Sequence, residues 1–181
     1  MWISHLVTQG VYGAYTLGVS GNVPFCIMKK DKPCPDVLCA LLGTRHPIVQ
    51  AGMVWCTGWE LAAEVGKAGA LGTLGAGSMY PEELKAEIQR LKAAWDGPFA
   101  VNVPLLYPDV EAHMETIAAA GVPVVFTSAG SPMKWTGFLK EAGATVIHVV
   151  SSAAFARKAE DAGVDAVVAE GFEAGGHNGR E

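Results

Sequence analysis

The chain has 181 residues, half of them apolar, with 22 glycines and a net charge of -5. This apolar content is too high for a disordered chain, and the lack of a basic patch in the sequence argues against nucleic acid as a partner. No stretch reaches the ~18 uninterrupted apolar residues of a membrane helix, and no Cys-x-x-Cys pair occurs, so we expect a cytoplasmic protein without membrane contact or a metal site.

Residues 1–36 differ from the rest of the chain. They lack an amphipathic period and contain glycines, prolines and a short basic cluster at Lys29, Lys30 and Lys32. We expect this segment to be an irregular, poorly ordered leader. Residues 37–181 are expected to form the folded domain.

A repeat begins near Leu41. Helices that end in Ala-Gly or a close variant are followed at once by short apolar strands. Glycine after a helix adopts the left-handed conformation, which stops the helix and turns the chain into the next strand. We assign this role to Gly69, Gly97, Gly121, Gly143 and Gly163. The strands lack polar–apolar alternation, which is typical of strands buried on both faces in a parallel sheet.

Strand, loop and helix recur about every 20–28 residues, the spacing of βα units. The predicted strands are 47–51, 70–74, 99–103, 123–127, 145–150 and 165–169. The predicted helices are 58–68, 81–95, 109–120, 134–142 and 152–162. Both a doubly wound open sheet and an eight-stranded barrel accept this α/β order. Since a (β/α)8 barrel needs ~250 residues, a barrel here holds about six of its eight units and lacks its C-terminal part.

Small and polar residues fall where the predicted strands end, which is where function lies in parallel βα folds. These strand ends are Gln50-Ala51-Gly52-Met53, Gly75-Ala76-Gly77-Ser78, Asn102, Thr127-Ser128-Ala129-Gly130, His148 and residues 170–179. Small residues let a flat ligand lie against the backbone, whose N–H groups bond its heteroatoms. Their recurrence favours a ligand site over turn geometry alone.

Three histidines need separate interpretations. His177 follows Gly175-Gly176 on the last of these loops, where an imidazole can act as base, acid or hydrogen-bond donor. Its position alone does not separate this role from that of a surface histidine. His148 either faces the barrel mouth or packs in the core, and His113 is predicted to be solvated.

Five motifs, taken in order, resemble one family. They are Pro47-Ile48-Val49-Gln50-Ala51-Gly52-Met53, Ala68-Gly69-Ala70-Leu71-Gly72, Val101-Asn102-Val103-Pro104, Phe126-Thr127-Ser128-Ala129-Gly130 and the stretch from Ala169 to Gly179. Together, over about residues 38–181, they resemble the nitronate monooxygenases, formerly called 2-nitropropane dioxygenases. Flavin-dependent enoyl-ACP reductases share much of the pattern.

The resemblance implies a TIM barrel that binds FMN and oxidises alkyl nitronates with O2 to a carbonyl compound and nitrite. It implies that Ala51, Gly52 and Met53 lie beside the isoalloxazine ring and that Asn102 bonds the flavin. Ser128, Val149, Gly175 and Gly176 would line the flavin pocket. His177 matches the family's active-site histidine, which contacts the nitro group or acts as the base.

Two departures and two alternatives stay open. Val149 stands where some family members carry a lysine, and the turns that hold the FMN phosphate after the seventh and eighth strands have no counterpart, so we expect this polypeptide alone to bind FMN weakly. The alternatives are an NAD(P)H-dependent enoyl-ACP reductase and a non-catalytic fragment that binds no flavin. A homo-oligomer is also left open.

Overall fold

The computed structural model describes residues 9–10, 15–16, 35–171 and 174. Within the predicted leader it contains strands β1 (Gln9–Gly10) and β2 (Tyr15–Thr16), which pair antiparallel. The rest of residues 1–34 lies outside the described part, so the leader stays a prediction. Among the described helices none is long and apolar enough to cross a membrane.

The βα repeat forms as the sequence predicts, with small shifts at the ends. The strands that follow are β3 (Gly72–Gly75), β4 (Phe99–Pro104), β5 (Val124–Ser128), β6 (Thr145–Val150) and β7 (Ala166–Ala169). The helices are α1 (Pro35–Leu42), α2 (Trp59–Lys67), α3 (Pro81–Ala94), α4 (Val110–Ala119), α5 (Thr136–Glu141) and α6 (Ala153–Asp161). Only α1 was missing from the sequence prediction.

The five strands β3 to β7 form one parallel sheet in chain order. A doubly wound sheet reverses its strand order at a switch point and carries helices on both faces. Here α2 to α6 all contribute to the core cluster on one face, whereas α1 is the only helix in the cluster on the other face. Sequential order with the crossover helices on one side is the arrangement of a barrel wall, so the doubly wound alternative is wrong.

The inner face of this wall packs around α1. Leu38 and Leu42 cluster with Leu71, Ala100 and Val124, which lie at or just before the starts of their strands. A Cβ at Gly43, just after α1, would lie 3.5 Å from the ring of Pro98, the residue before β4, so the end of α1 lies at the amino ends of the strands. The opposite edge, where the carboxyl ends lie, keeps its smaller and more polar residues.

The predicted strand over 47–51 is reduced to a single parallel bridge between Val49 and Leu71. One residue further on, the side chain of Gln50 takes the place of the backbone ladder. Its Oε1 accepts from the Thr73 N–H at 3.0 Å and its Nε2 donates to the Thr73 carbonyl at 3.2 Å. The segment thus stays beside β3, although it makes too few backbone hydrogen bonds to form a strand.

Four of the five glycines assigned to helix ends adopt the predicted left-handed conformation. The φ angles are 94° at Gly69, 59° at Gly121, 87° at Gly143 and 80° at Gly163. The prediction for Gly97 is wrong, because its φ is not positive. Trp95 follows the last residue of α3, and its indole N–H donates to the Pro98 carbonyl at 2.9 Å. The ring lies against Gly97, where a Cβ would come within 2.2 Å of it.

Two glycine substitutions should separate backbone conformation from packing. Gly121→Ala adds a Cβ with nothing within 4 Å, so only the left-handed φ opposes it, and we expect a loss of about 1–2 kcal/mol in unfolding free energy. Gly72→Ala puts a Cβ 2.0 Å from the Ala62 carbonyl oxygen, so α2 cannot pack on β3 and the loss should be larger. Urea denaturation measures both, and equal losses would contradict this packing.

Candidate functional site

Three of the predicted pocket residues project from the same face of the sheet near the carboxyl ends of the strands. Asn102, Ser128 and Val149 each lie two residues beyond a member of the inner cluster, namely Ala100, Phe126 and Ile147. Since side chains alternate along a strand, all three point to the inner side. Each is partly buried.

Gly52 and Asn102 meet at this edge. The Asn102 Nδ2 donates to the Gly52 carbonyl oxygen at 3.3 Å. A carbonyl oxygen can only accept, so the amide nitrogen must face it and the amide oxygen must face elsewhere. A Cβ on Gly52 would lie 2.5 Å from the Asn102 Cβ. The close approach therefore requires glycine at position 52.

The Asn102 Oδ1 is buried and has no hydrogen-bond partner among the described residues. A buried acceptor without a donor costs roughly 1–3 kcal/mol. A bound molecule with an N–H or O–H group would remove this cost. The atom therefore marks where a ligand donor fits.

Met53 begins a turn that is held by several hydrogen bonds. The Thr57 hydroxyl donates to the Met53 carbonyl and accepts from the Met53 N–H, both at 2.8 Å, and the Thr57 N–H donates to the same carbonyl at 3.0 Å. Ala51, just before it, accepts from the Gln50 Nε2. A Cβ at Gly75 would lie 2.7 Å from the Met53 carbonyl oxygen, so the turn rests directly on β3.

Backbone strain in the described residues is confined to this end of the sheet. Two non-glycine residues have positive φ, Trp55 at 65° in the Met53 turn and Ala129 at 51° just after β5. Such conformations cost about 1–3 kcal/mol and persist where surrounding bonds impose them. At Trp55 one such bond runs from its N–H to the Ser78 Oγ at 3.0 Å. Strained positions cluster at ligand sites, so their location supports the site assignment.

His148 packs in the core and does not face the inner side of the sheet. It lies two residues from Val146 and from Val150, so all three point to the same face of β6. Val146 and Val150 belong to the core cluster that contains α2 to α6, and His148 is 5% exposed. Its Nδ1 pairs with the Thr127 hydroxyl at 2.7 Å. Burial lowers the pKa of His148, and hydrogen bonds to the backbone of Gly130 and Thr127 oppose this shift. The ring thereby connects β6 to the loop that follows β5.

The prediction that His113 is solvated is wrong. The side chain is fully buried, its Nε2 pairs with the Met79 carbonyl at 3.0 Å, and its ring stacks on Tyr107. Desolvation lowers the pKa of His113, while the Met79 carbonyl and the charge of Asp109 raise it. The helix pattern contained the signal, because position 113 lies on the same face as Val110 and Ile117.

The last loop of the predicted site lies outside the described residues. The loop contains Gly175, Gly176 and His177, whose roles in the site stay predictions. At the end of β7 the Glu170 N–H donates to the Val150 carbonyl at 2.8 Å. This bond keeps the start of the loop beside β6.

Sequence reasoning missed Thr57, and it placed Gln50 and Ser78 at strand ends without giving them a role. All three hold the site in shape through side-chain bonds to the backbone, Thr57 within its own turn and Gln50 and Ser78 to other segments. Thr57 gives a weak signal, since threonine is favoured where a hydroxyl can bond nearby backbone. Gln50 and Ser78 reach residues 23 positions away, which no local pattern predicts.

A comparison with family models decides the family. The model of the nitronate monooxygenase family matches residues 36–116 and 109–181. The chain belongs to this family. The resemblance found in the sequence motifs is confirmed.

Three similar proteins set the context for this family member. FabK from Thermotoga maritima has 44% sequence identity and a TM-score of 0.78, covering 80% of this chain and 46% of FabK. Nitroalkane oxidase from Streptomyces ansochromogenes has 31% identity and a TM-score of 0.74, covering 80% of this chain and 51% of the oxidase. A Mycobacterium tuberculosis (3aS,4S,5R,7aS)-5-hydroxy-7a-methyl-1-oxo-octahydro-1H-indene-4-carboxyl-CoA dehydrogenase is 39% identical over 142 residues, 78% of this chain and 40% of that enzyme.

This nitronate monooxygenase family member therefore has the α/β fold of a TIM barrel, and it spans about half the length of the relatives it matches. The family implies a flavin, and the described residues fit one. The buried Asn102 Oδ1, which has no partner among the described residues, suits an N–H donor, and the oxidised isoalloxazine ring carries one.

Two substitutions at Trp55 should measure the strain in the Met53 turn. Trp55→Ala and Trp55→Gly both remove a side chain that is 85% exposed, but only glycine relieves the positive φ. We expect the glycine variant to be more stable than the alanine variant by about 1 kcal/mol. Thermal and urea unfolding compare them, and an alanine variant of equal or greater stability would show that the turn is unstrained.

The two buried histidines should make stability depend on pH. Their pKa values lie below the ordinary 6.5 when folded, so the unfolded chain takes up protons first. The contribution of the two histidines to the unfolding free energy therefore has its full value above pH 6.5. It falls as the pH drops from there toward the folded pKa values.

His148→Gln should reduce the slope of this decline between about pH 7 and 5.5. Urea titrations across this range measure the slope. His46→Gln, at an exposed position, is the matched control for replacing an imidazole with an amide. A slope in His148→Gln equal to that of the unsubstituted protein would contradict the assignment.

Proposed function

We propose that this protein catalyses the FMN-dependent oxidation of alkyl nitronates by O2 to a carbonyl compound and nitrite. The family match supports this chemistry, and the observation that carries it is the buried Asn102 Oδ1, which has no hydrogen-bond partner among the described residues. This oxygen offers one acceptor beside Gly52, near the carboxyl ends of the strands. When bound there, FMN would supply the electron acceptor for the substrate carbon.

The chain's own residues would bind and orient both molecules. Ala51, Gly52 and Met53 would present backbone to the face of the ring, and the turn bonds to Thr57 would keep this surface rigid. Asn102 would accept from the ring N–H, which fixes the ring's rotation in its plane. Preorganised contacts of this kind lower the cost of reaching the reactive arrangement.

The remaining predicted residues would complete the pocket. Ser128 and Val149 would form the wall on the β5 and β6 side, and Gly175 and Gly176 would also line the pocket. His177 would hold the nitro group or remove the proton from a neutral nitroalkane. Because Val149 is uncharged, this wall would stabilise no negative charge on the ring. A homo-oligomeric state and a cytoplasmic location stay predictions.

Asn102→Leu should weaken flavin binding without unfolding the protein. The substitution removes a buried acceptor and one 3.3 Å bond while keeping the side-chain volume, so we expect a small change in unfolding free energy. The loss of one hydrogen bond should raise the Kd for FMN about tenfold. Fluorescence titration of FMN into the flavin-free, full-length protein measures it, and an unchanged Kd would remove Asn102 from the binding site.

His177→Ala should abolish most nitronate oxidation. The loss of a positioned acid–base group typically lowers turnover by about 10²–10⁴-fold. Oxygen uptake with propyl-2-nitronate measures the rate, and FMN absorbance checks that the flavin is still bound. His46→Ala, at an exposed position just before the bridge residue Val49, serves as the control. Unchanged turnover in His177→Ala would exclude the histidine from the chemistry.

A second candidate function is oxidation or reduction next to a thioester. The 39% identity with a carboxyl-CoA dehydrogenase favours it, and it includes the enoyl-ACP reductase alternative raised by the sequence. Assays of one preparation with nitronates under O2 and with enoyl thioesters plus NAD(P)H separate the two. Turnover of thioesters alone would replace the nitronate proposal, and activity with neither, without flavin binding, would favour the non-catalytic alternative.

A further inference from the structure

Large apolar side chains stand exposed on the loops at the carboxyl ends of the strands. Val54 and Trp55 lie in the Met53 turn, Leu106 follows β4, and Met133 follows β5; their exposures are 45%, 85%, 80% and 64%. Single exposed apolar residues are ordinary on a protein surface. A group of four on the functional edge of a barrel is a different observation, and we call it the apolar rim.

Close contacts bring together the loops that carry the apolar rim. A Cβ at Gly77 would lie 3.2 Å from a Val54 methyl carbon and 3.0 Å from the Pro104 ring, so the Met53 turn and the end of β4 meet there. A Cβ at Gly130 would lie 2.7 Å from the Leu105 Cβ, which joins the loops after β4 and β5 in the same way. Glycine at both junctions lets the three loops touch.

Trp55 is held in place at an energetic cost. Its backbone has a φ of 65°, and its N–H is fixed by the Ser78 Oγ at 3.0 Å. The adjoining Cys56 N–H donates to the Met53 carbonyl at 3.1 Å. These bonds fix the backbone that carries an indole 85% exposed, three residues from Gly52. Strained backbone clusters at ligand sites, and an exposed indole there offers a large apolar surface to a ligand.

The charge beside Met133 of the apolar rim is already paired within the protein. Lys134, next to Met133, is paired with Glu111 at 2.7 Å, and its ammonium lies 4.6 Å from the centre of the Trp135 ring. Hydrogen bonding and the charge of Lys134 lower the pKa of Glu111, so the pair is neutral overall near pH 7. This cation is therefore already matched and does not single out an anionic tail.

We propose that the apolar rim binds the uncharged apolar part of the substrate and that Trp55 is its specificity-determining residue. The preferred substrate then carries an aliphatic or aromatic group of several carbons next to the reacting carbon. This inference rests on the proposed function, because the apolar rim borders the site formed by Gly52 and Asn102.

Nitronates of increasing length test the proposal on the full-length, FMN-loaded protein. The kcat/KM of the unsubstituted protein should rise from the nitronate of nitroethane to those of 1-nitrohexane and phenylnitromethane. Trp55→Ala should lower kcat/KM about tenfold for the long substrates, which is the effect of a methylene-sized contact in an apolar pocket, and should leave the nitroethane value unchanged. Trp55→Phe should retain most of the preference.

Phe155→Ala is the matched control, since Phe155 is an aromatic residue of α6 that is 51% exposed and lies outside the apolar rim. It should change no substrate preference. Equal losses for short and long substrates in Trp55→Ala, or no loss for either, would overturn the assignment of Trp55.

A protein that turns over no nitronate would contradict the proposed function alone. A binding measurement still tests whether Trp55 contacts an apolar ligand. Acrylamide should quench a fluorescence component that is present in the unsubstituted protein and absent in Trp55→Phe, and 2-octanone should protect that component whereas acetone should not. A component that acrylamide cannot reach without ligand would show that another segment or a second copy covers Trp55. That result, or a lack of protection by 2-octanone, would overturn the proposal.

Discussion

The parallel pairing of β3 to β7 in chain order is the constraint on which the rest of the molecule depends. Because each strand starts just after a helix end and runs in the same direction, all carboxyl ends gather on one edge. Helix α1 covers the inner cluster at the amino ends of the strands. The edge at the carboxyl ends of the strands carries short loops, and these loops form the candidate site.

Much of this fold could be predicted because each repeat carries local signals. The left-handed glycines after α2, α4, α5 and α6 mark where helices stop, and β6 has the predicted bounds over 145–150. The failures come from individual side-chain contacts. Gln50 replaces a backbone ladder with its side chain, and Trp95 ends α3 by packing against Gly97. Neither arrangement leaves a trace in local periodicity.

The candidate site shows the same division. Asn102, Ser128 and Val149 could be found from strand ends and family motifs, and the structure places them on one face together with the contact between Asn102 and Gly52. The support at Ser78 could not, since a hydroxyl bonded to a turn 23 residues away resembles any polar loop residue. The buried position of His113 was predictable from its helix face, although its polarity suggested solvent.

The account as a whole claims that one mouth, bounded by Gly52 and Asn102, holds a flavin ring, with the apolar rim facing what the flavin reacts with. A crystal structure of the full-length protein with FMN tests this most directly. The account predicts electron density for the ring against Gly52, with the Asn102 Oδ1 within hydrogen-bond distance of a ring N–H. Flavin density elsewhere, or an Asn102 oxygen satisfied by another protein group with no ring beside Gly52, would contradict it.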